Sequence, residues 1–335
     1  MRTSRRAATL ITVATLGLGL TVAGCSGSGG RSAEEKPAGG SGAGTAAGTP
    51  RMKIAMVTHS GEGDTFWDIV QSGAKQAAAK DNVEFLYSAN KEGKEQAQLV
   101  QAAIDQKVDG LIVTLAKPEA VKDVVAKAVK AGIPVVTINS GAQFSRQAGA
   151  LGHIGQDEKV AGEAVGDELD ARGRKKALCV IHEQGNVSLE ERCAGVRKTF
   201  GGRVENLNVE GTNMPASTSS IEAKLQADKD IDAIVTLGAP FAAASVKAKE
   251  GSGSRAEVDT FDLNAEVVKR LKASELGFAV DQQPYLQGYL AVDELWLKRT
   301  NGNVIGGGKP VLTGPAIVTA DDVPQLEKYT ARGTR

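Results

Sequence analysis

The sequence predicts an α/β protein made of two doubly wound parallel-sheet lobes. Three observations predict it. Short, predominantly apolar runs such as Lys53–Thr58 (KIAMVT) alternate with longer segments of helical spacing. Strands that apolar are covered on both faces, as parallel strands joined by crossover helices are. The alternation also occurs twice, in two similar series that divide near Gly155. Finally, aromatics make up only 4% of the 335 residues against 40 glycines, the mix of an Ala/Val/Ile-packed chain with many tight turns. A chain of this length suggests roughly two domains.

The first series opens with the strand Lys53–Thr58. Thr65–Lys80 follows as a helix, with Phe66, Ile69, Val70, Gly73 and Ala77 on one side. Val83–Tyr87 is a strand, Gly93–Gln106 a helix and Gly110–Leu115 a strand. Pro118–Ala131 is a helix, with Pro118 in its first turn and Gly132 closing it, and Ile133–Ile138 is a strand.

In the second series Glu158–Ala171, Leu189–Phe200, Ser217–Ala227 and Ala239–Lys249 have helical spacing. Ala177–Ile181, Val204–Val209, Ile231–Leu237, Val258–Phe261 and Phe278–Val280 are strands, and Pro284–Arg299 is a long helix.

Ahead of this body, Arg2, Arg5 and Arg6 precede an apolar stretch from Ala7 to Ala23, too short and diluted for a stable membrane span. It reads as a secretory signal over residues 1–24. Val22-Ala23-Gly24-Cys25 resembles a bacterial lipobox, with Cys25 as the lipidated residue; an ordinary signal peptide with a chance Cys is the plainer alternative. Arg5-Arg6 leaves general and twin-arginine export both open. Residues 25–50 form a linker: 17 of the 25 positions after Cys25 are Gly, Ser or Ala, so the segment is expected to be disordered. As a flexible coil it spans about 25–30 Å. With Cys25 set aside, Cys179 and Cys193 remain, 14 apart. In an oxidising compartment they form a disulfide; otherwise they are two buried thiols.

Lys and Arg total 40, as do Asp and Glu, so the net charge is zero and argues against a nucleic-acid partner. In doubly wound sheets ligands bind beyond the carboxyl ends of the strands. Those ends include His59-Ser60-Gly61-Glu62-Gly63-Asp64-Thr65-Phe66-Trp67, Asn139-Ser140, His182-Glu183, Leu237-Gly238, Asp262-Leu263-Asn264 and Asp281-Gln282-Gln283. Planar polar groups pair with sugar hydroxyls, and an aromatic face covers a patch of C–H groups. Each end alone is also ordinary turn chemistry; their convergence points to a site. Trp67 is expected to stand exposed there until a ligand covers it, and Trp67 and Asp262 to serve the ligand more than the fold.

Enzyme motifs fail. In Gly61–Phe66 the aromatic takes the place of the third Gly of a dinucleotide fingerprint, and Gly306-Gly307-Gly308-Lys309 lacks the opening Gly and the final Ser/Thr of a P-loop. No GxSxG elbow is present. His59, His153 and His182 make no HxxxH pair and read as structural or rim residues, so neither a metal nor a cofactor is expected.

The order of motifs KIAMVT, DTFWDIVQSGAKQAA, DGLIV, GIPVVTINS, GHIGQDEKVAGEAVGDEL, ERCAGV, AIVTLGAPFAAA, DTFDLN and VDQQPYLQGYLAV is similar to type I periplasmic binding proteins, the ribose-binding-protein-like solute-binding proteins of ABC importers, over Lys53 to about Val318. The resemblance implies a non-enzymatic monomer whose lobes, joined by a multi-strand hinge, close on a monosaccharide or polyol and deliver it to an ABC transporter permease. It implies one lobe from residues 51–154 plus about 283–311 and another from 155–282 plus about 312–335. The implied ligand residues are Ser60, Asp64, Phe66, Trp67, Asn139, Ser140, Arg192, Gly238, Asp262 and Gln282. The family's usual Asp-Arg is Asn139-Ser140 here, and its usual Asn is Gly238. Export and lipidation place the protein on the outer face of the cell membrane. A lipoprotein presenting its ligand to a receptor kinase is the alternative role.

Overall fold

The computed structural model describes residues 47–61 and 64–335. The expected signal sequence, Cys25, the linker up to residue 46, Glu62 and Gly63 lie outside the described residues.

The chain first lays down β1 (Met52–Thr58), α1 (Thr65–Lys80), β2 (Val83–Ala89), α2 (Gly93–Asp105) and β3 (Gly110–Val113). It continues with α3 (Pro118–Lys130), β4 (Val135–Ile138), the one-turn α4 (Ala142–Ser145) and β5 (His153–Gly155). The second series is α5 (Glu158–Ala171), β6 (Lys176–Ile181), α6 (Val187–Thr199), β7 (Arg203–Asn208), α7 (Met214–Ala227) and β8 (Ala233–Thr236). Then come α8 (Ala239–Ser252), β9 (Glu257–Phe261), α9 (Ala265–Lys272) and β10 (Ala279–Asp281). The chain ends with α10 (Pro284–Asn301), β11 (Val311–Leu312), β12 (Ala316–Val318) and α11 (Val323–Thr330).

Two six-stranded sheets result, ordered β11-β5-β4-β3-β1-β2 and β12-β10-β9-β8-β6-β7. Both have the doubly wound order with a switch point where the first strand of the series sits between the second and third. All pairs are parallel except β10–β12. The chain passes between the sheets after β5, between β10 and β11, and between β11 and β12.

Period-two alternation makes the core. On β1, Ile54 and Met56 pack with Val70, Ala74 and Leu295 on one face, while Ala55 and Val57 pack with Val100, Val121 and Val125 on the other. In the second sheet Leu178 and Val180 face α7 and α8, whereas Ala177, Cys179 and Ile181 face α5 and α6. Two helix pairs approach closely through glycine. A Cβ on Gly288 of α10 would collide with the Val70 carbonyl of α1, and one on Gly162 of α5 with the Arg192 carbonyl of α6.

Cys179 and Cys193 form a disulfide, Cα atoms 6.0 Å apart, which ties β6 to α6 and resolves the two readings of the sequence. In the chain-entropy account a loop of this size is worth about 3 kcal/mol.

One expectation needs correcting. Residues 47–50, read from the sequence as part of the linker, belong to the described body, and Ala47 and Thr49 are hydrogen-bonded to it. The Ala47 N–H donates to the Lys80 carbonyl at 2.8 Å, Asn82 Nδ2 to the Thr49 carbonyl at 2.9 Å, and Trp296 Nε1 to Thr49 Oγ1 at 3.1 Å. The short β5, β11 and β12, with α4, α9 and α11, are additions to the sequence reading; two or three residues of strand are too few to show a period. Among the described residues no helix is long and apolar enough to cross a membrane.

Candidate functional site

A cavity of about 670 Å³ opens at the carboxyl ends of both sheets, within the range of small-molecule pockets. The first sheet and its turns contribute Asp64, Phe66, Trp67, Asn139 and Ser140; the second contributes Arg192, Gly238 and Asp262; the crossing segment contributes Gln282. Ser60, marked in the sequence, is not among the lining residues. Its hydroxyl donates to the neighbouring Gly61 carbonyl at 3.0 Å, so it closes the turn instead.

The N-termini of α1, α3, α6 and α8 all point to this end of the sheets, because each follows a parallel strand. Their dipoles favour negative charge there, and the cavity walls supply it as Asp64, Glu183 and Asp262. Asp64 caps α1, its Oδ1 accepting from the Phe66 N–H at 3.1 Å. Burial raises its carboxyl to about 6, against the pull of that N–H. Asp262 lies beyond β9 with a left-handed φ of 71°, and burial raises it to about 7 despite Arg192 and the Gln282 amide that donates to it. Asn139 beyond β4 and Gln283 beyond β10 are left-handed too, with φ of 61° and 53°. Strained backbone of this kind concentrates at functional sites.

Arg192 is 3% exposed. Its Nε and Nη2 hold Glu158 Oε2 and Oε1 at 2.6 and 3.0 Å, and Nη1 donates to the Leu237 carbonyl at 3.0 Å. Its guanidinium carbon lies 4.6 Å from the Phe261 ring centre. A guanidinium has five N–H donors, so two remain for a ligand. Trp67 departs from expectation: it is 3% exposed and belongs to the core of its lobe. Its ring meets His59 and Phe66 edge-on, each with centres 5.1 Å apart. Trp67 therefore backs the cavity wall and is already covered without a ligand.

Residues from the two lobes touch across the cavity. Asn139 Nδ2 donates to Gln282 Oε1 at 3.2 Å, and Ser140 Oγ donates to Asn139 Oδ1 at 2.8 Å. His59 Nδ1 bonds Thr114 Oγ1 at 2.8 Å, while its Nε2 faces Asn186 Nδ2 at 3.3 Å. Lys117 Nζ reaches Glu183 Oε1 at 3.5 Å, and the Val187 N–H donates to the Ala116 carbonyl at 3.1 Å. The lobes are thus in contact around the cavity.

His59, His182, Glu183, Asn186 and Phe241 are lining residues that were not among the marked ten. The histidines lay at strand ends but read as rim groups. Phe241 carries a signal that could have found it: it sits in the first turn of the helix after β8, as Phe66 does after β1. Among the described residues no group of three or more His, Cys, Asp or Glu is placed to hold a metal.

Residues 54–301 match the family described as periplasmic binding protein domain. The xylose/arabinose-binding protein XylF of Sulfolobus acidocaldarius is 25% identical over 269 residues, 74% of this chain and 66% of its own length. The chain thus spans just under two thirds of that relative. The ribose import binding protein RbsB of Bacillus subtilis is 24% identical over 68% of this chain and 75% of its own. A carbohydrate transporter from Acidothermus cellulolyticus, solved in complex with myo-inositol, is 47% identical with a TM-score of 0.85, covering 85% of this chain and all of that one. A solute-binding protein from Burkholderia graminis, solved with D-arabinose, is 26% identical with a TM-score of 0.72 over 81% of this chain and 96% of that one.

Proposed function

The chain belongs to the periplasmic binding protein family, whose members are non-enzymatic sugar-binding proteins of ABC importers, and from that premise we propose that it captures a neutral cyclic polyol of the inositol class, or a monosaccharide of similar size, and hands it to a membrane permease. The observation that carries this reading is the convergence of amides, carboxylates and a guanidinium from both lobes on one cavity with an aromatic group from each. Asn139 and Gln282 offer neutral amide edges, Asp64 and Asp262 accept hydroxyl protons, and Arg192 retains two donors.

A ring with a hydroxyl on every carbon and C–H groups on its faces suits a wall of mixed polar and apolar groups. The myo-inositol in the 47%-identical Acidothermus protein supports the same class. Ligand bridging the lobes shifts an open–closed equilibrium by its preference for the closed arrangement. The lipobox Val22–Cys25 and the Gly/Ser/Ala-rich linker support a lipoprotein held at the outer face of the cell membrane. Single acyl chains bind only marginally, so stable anchoring takes more than one.

Calorimetric titration of the purified protein with myo-inositol, ribose, xylose, arabinose and glucose tests the reading. Saturable one-to-one binding of a neutral cyclic polyol or sugar at micromolar concentration or below is expected. Heat of binding from none of them sinks it.

A further inference from the structure

The backbone of Gly238 is extended, with φ −172° and ψ 144°, a conformation any residue adopts. Its lack of a side chain therefore answers to space. A Cβ there would stand 3.2 Å from His182 Cε1, 3.7 Å from His182 Nε2 and 3.8 Å from Phe241 Cδ2. The first separation is tighter than most side-chain contacts, so the imidazole would have to give way by a few tenths of an ångström to admit even a methyl group.

That imidazole lies flat on Phe241, ring centres 4.2 Å apart and planes within 17°. His182 follows β6, Phe241 opens α8, and both line the cavity beside Gly238 and Leu237. Burial, with Arg192 and His59 nearby, holds His182 down at about 3, so the ring is uncharged at neutral pH. Its Nδ1 is buried with no partner among the described residues. The second lobe thus offers the cavity a flat, uncharged aromatic wall, and the missing side chain at Gly238 is what makes room for it.

We propose that Gly238 is a specificity-determining position, which by leaving its side-chain space empty admits the stacked His182–Phe241 pair as a wall selecting rings with a C–H face. This deepens the polyol reading above and rests on it. In a six-membered polyol with equatorial hydroxyls the axial bonds are C–H, so the ring face is apolar and matches an aromatic surface. An axial hydroxyl aimed at that wall would lose its hydrogen bonds to water and gain none, a cost buried polar groups bear.

The test compares scyllo-inositol (all hydroxyls equatorial), myo-inositol (one axial) and epi- and allo-inositol (more axial hydroxyls) by calorimetry. Wild type is measured beside Gly238→Asn, Gly238→Ala and Phe241→Leu, with thermal melts of each unliganded protein. Wild type is expected to favour the isomers with fewest axial hydroxyls by tenfold or more. Gly238→Asn should weaken myo-inositol binding at least tenfold and flatten the preference; Gly238→Ala, which adds one carbon, reports the same trend if the larger change unfolds the protein. Phe241→Leu keeps the bulk but loses the stack, and should flatten the preference too. Wild-type binding with the affinities and ordering untouched in the folded variants overturns the wall while leaving the polyol reading standing. No binding of any inositol or sugar by wild type overturns both.

Discussion

Asn139 and Gln282 lie 143 positions apart and meet through a 3.2 Å hydrogen bond between two buried amides. The bond joins the end of a first-sheet strand to the segment leaving the second sheet. Gln282 also donates to Asp262, and its own carbonyl groups receive Gln287 Nε2 at 3.1 and 3.2 Å. Gln282→Ala should break a node shared by both lobes and the cavity wall. Loss of ligand affinity by about 1–3 kcal/mol is expected from buried polar groups left unpaired. Calorimetry on the variant checks this, and wild-type affinity would remove Gln282 from the site.

The two cavity carboxylates give a pH signature. Asp64 and Asp262 titrate near 3.8 when unperturbed and are raised to about 6 and about 7 by burial. Folding therefore takes up protons at these two groups, and their contribution to unliganded stability falls as pH rises from about 4 to about 7, while the buried His59, His153 and His182, held low, contribute with the opposite sign. Asp262→Asn should flatten much of that slope in melts taken across the range.

Ligand hydroxyls donating to the carboxylates favour the ionised forms. Binding should then release protons, and affinity should rise between about pH 5.5 and pH 8. Titrations at pH 7 in buffers of different ionisation enthalpy read the proton count directly. A count of zero with flat affinity would show that neither carboxylate meets the ligand.

The Arg192–Glu158 pair ties binding to folding. Both side chains are nearly inaccessible, 3% and 4% exposed. Removing one partner of such a pair leaves a buried charge uncompensated, at a cost of about 3–5 kcal/mol. Glu158→Ala and Arg192→Ala should each lower the unliganded melting temperature by many degrees, contrary to the sequence-based expectation that Arg192 serves chiefly the ligand. Melts unchanged from wild type would mean the pair is open to water.

The two tryptophans should report on different events. Trp67 backs the cavity, whereas Trp296 bonds Thr49 at the docked end of the linker. Ligand-induced fluorescence change should vanish in Trp67→Phe and persist in Trp296→Phe. The conservative change matters because truncating a buried Trp to Ala costs about 3–5 kcal/mol on its own. A ligand signal surviving in Trp67→Phe and lost in Trp296→Phe would move the site elsewhere.

The sequence by itself determined the two series of βα units and the end of the sheets where a site could lie. Apolar runs between helical spacings are local patterns, so α1 and α5 were legible to the residue as Thr65–Lys80 and Glu158–Ala171. Residues immediately after strands were legible for the same reason, and with Arg192, marked through the family resemblance, nine of the ten marked positions do line one cavity. Tertiary structure alone decided what those residues do there. Trp67 is core and not an open face, Arg192 is already held by Glu158, and Ser60 turns into its own loop. His182 and Phe241, 59 positions apart in the chain, become one wall. Burial and pairing between distant segments leave no periodic trace in sequence, because they arise only when both sheets and the crossings between them have brought those segments together.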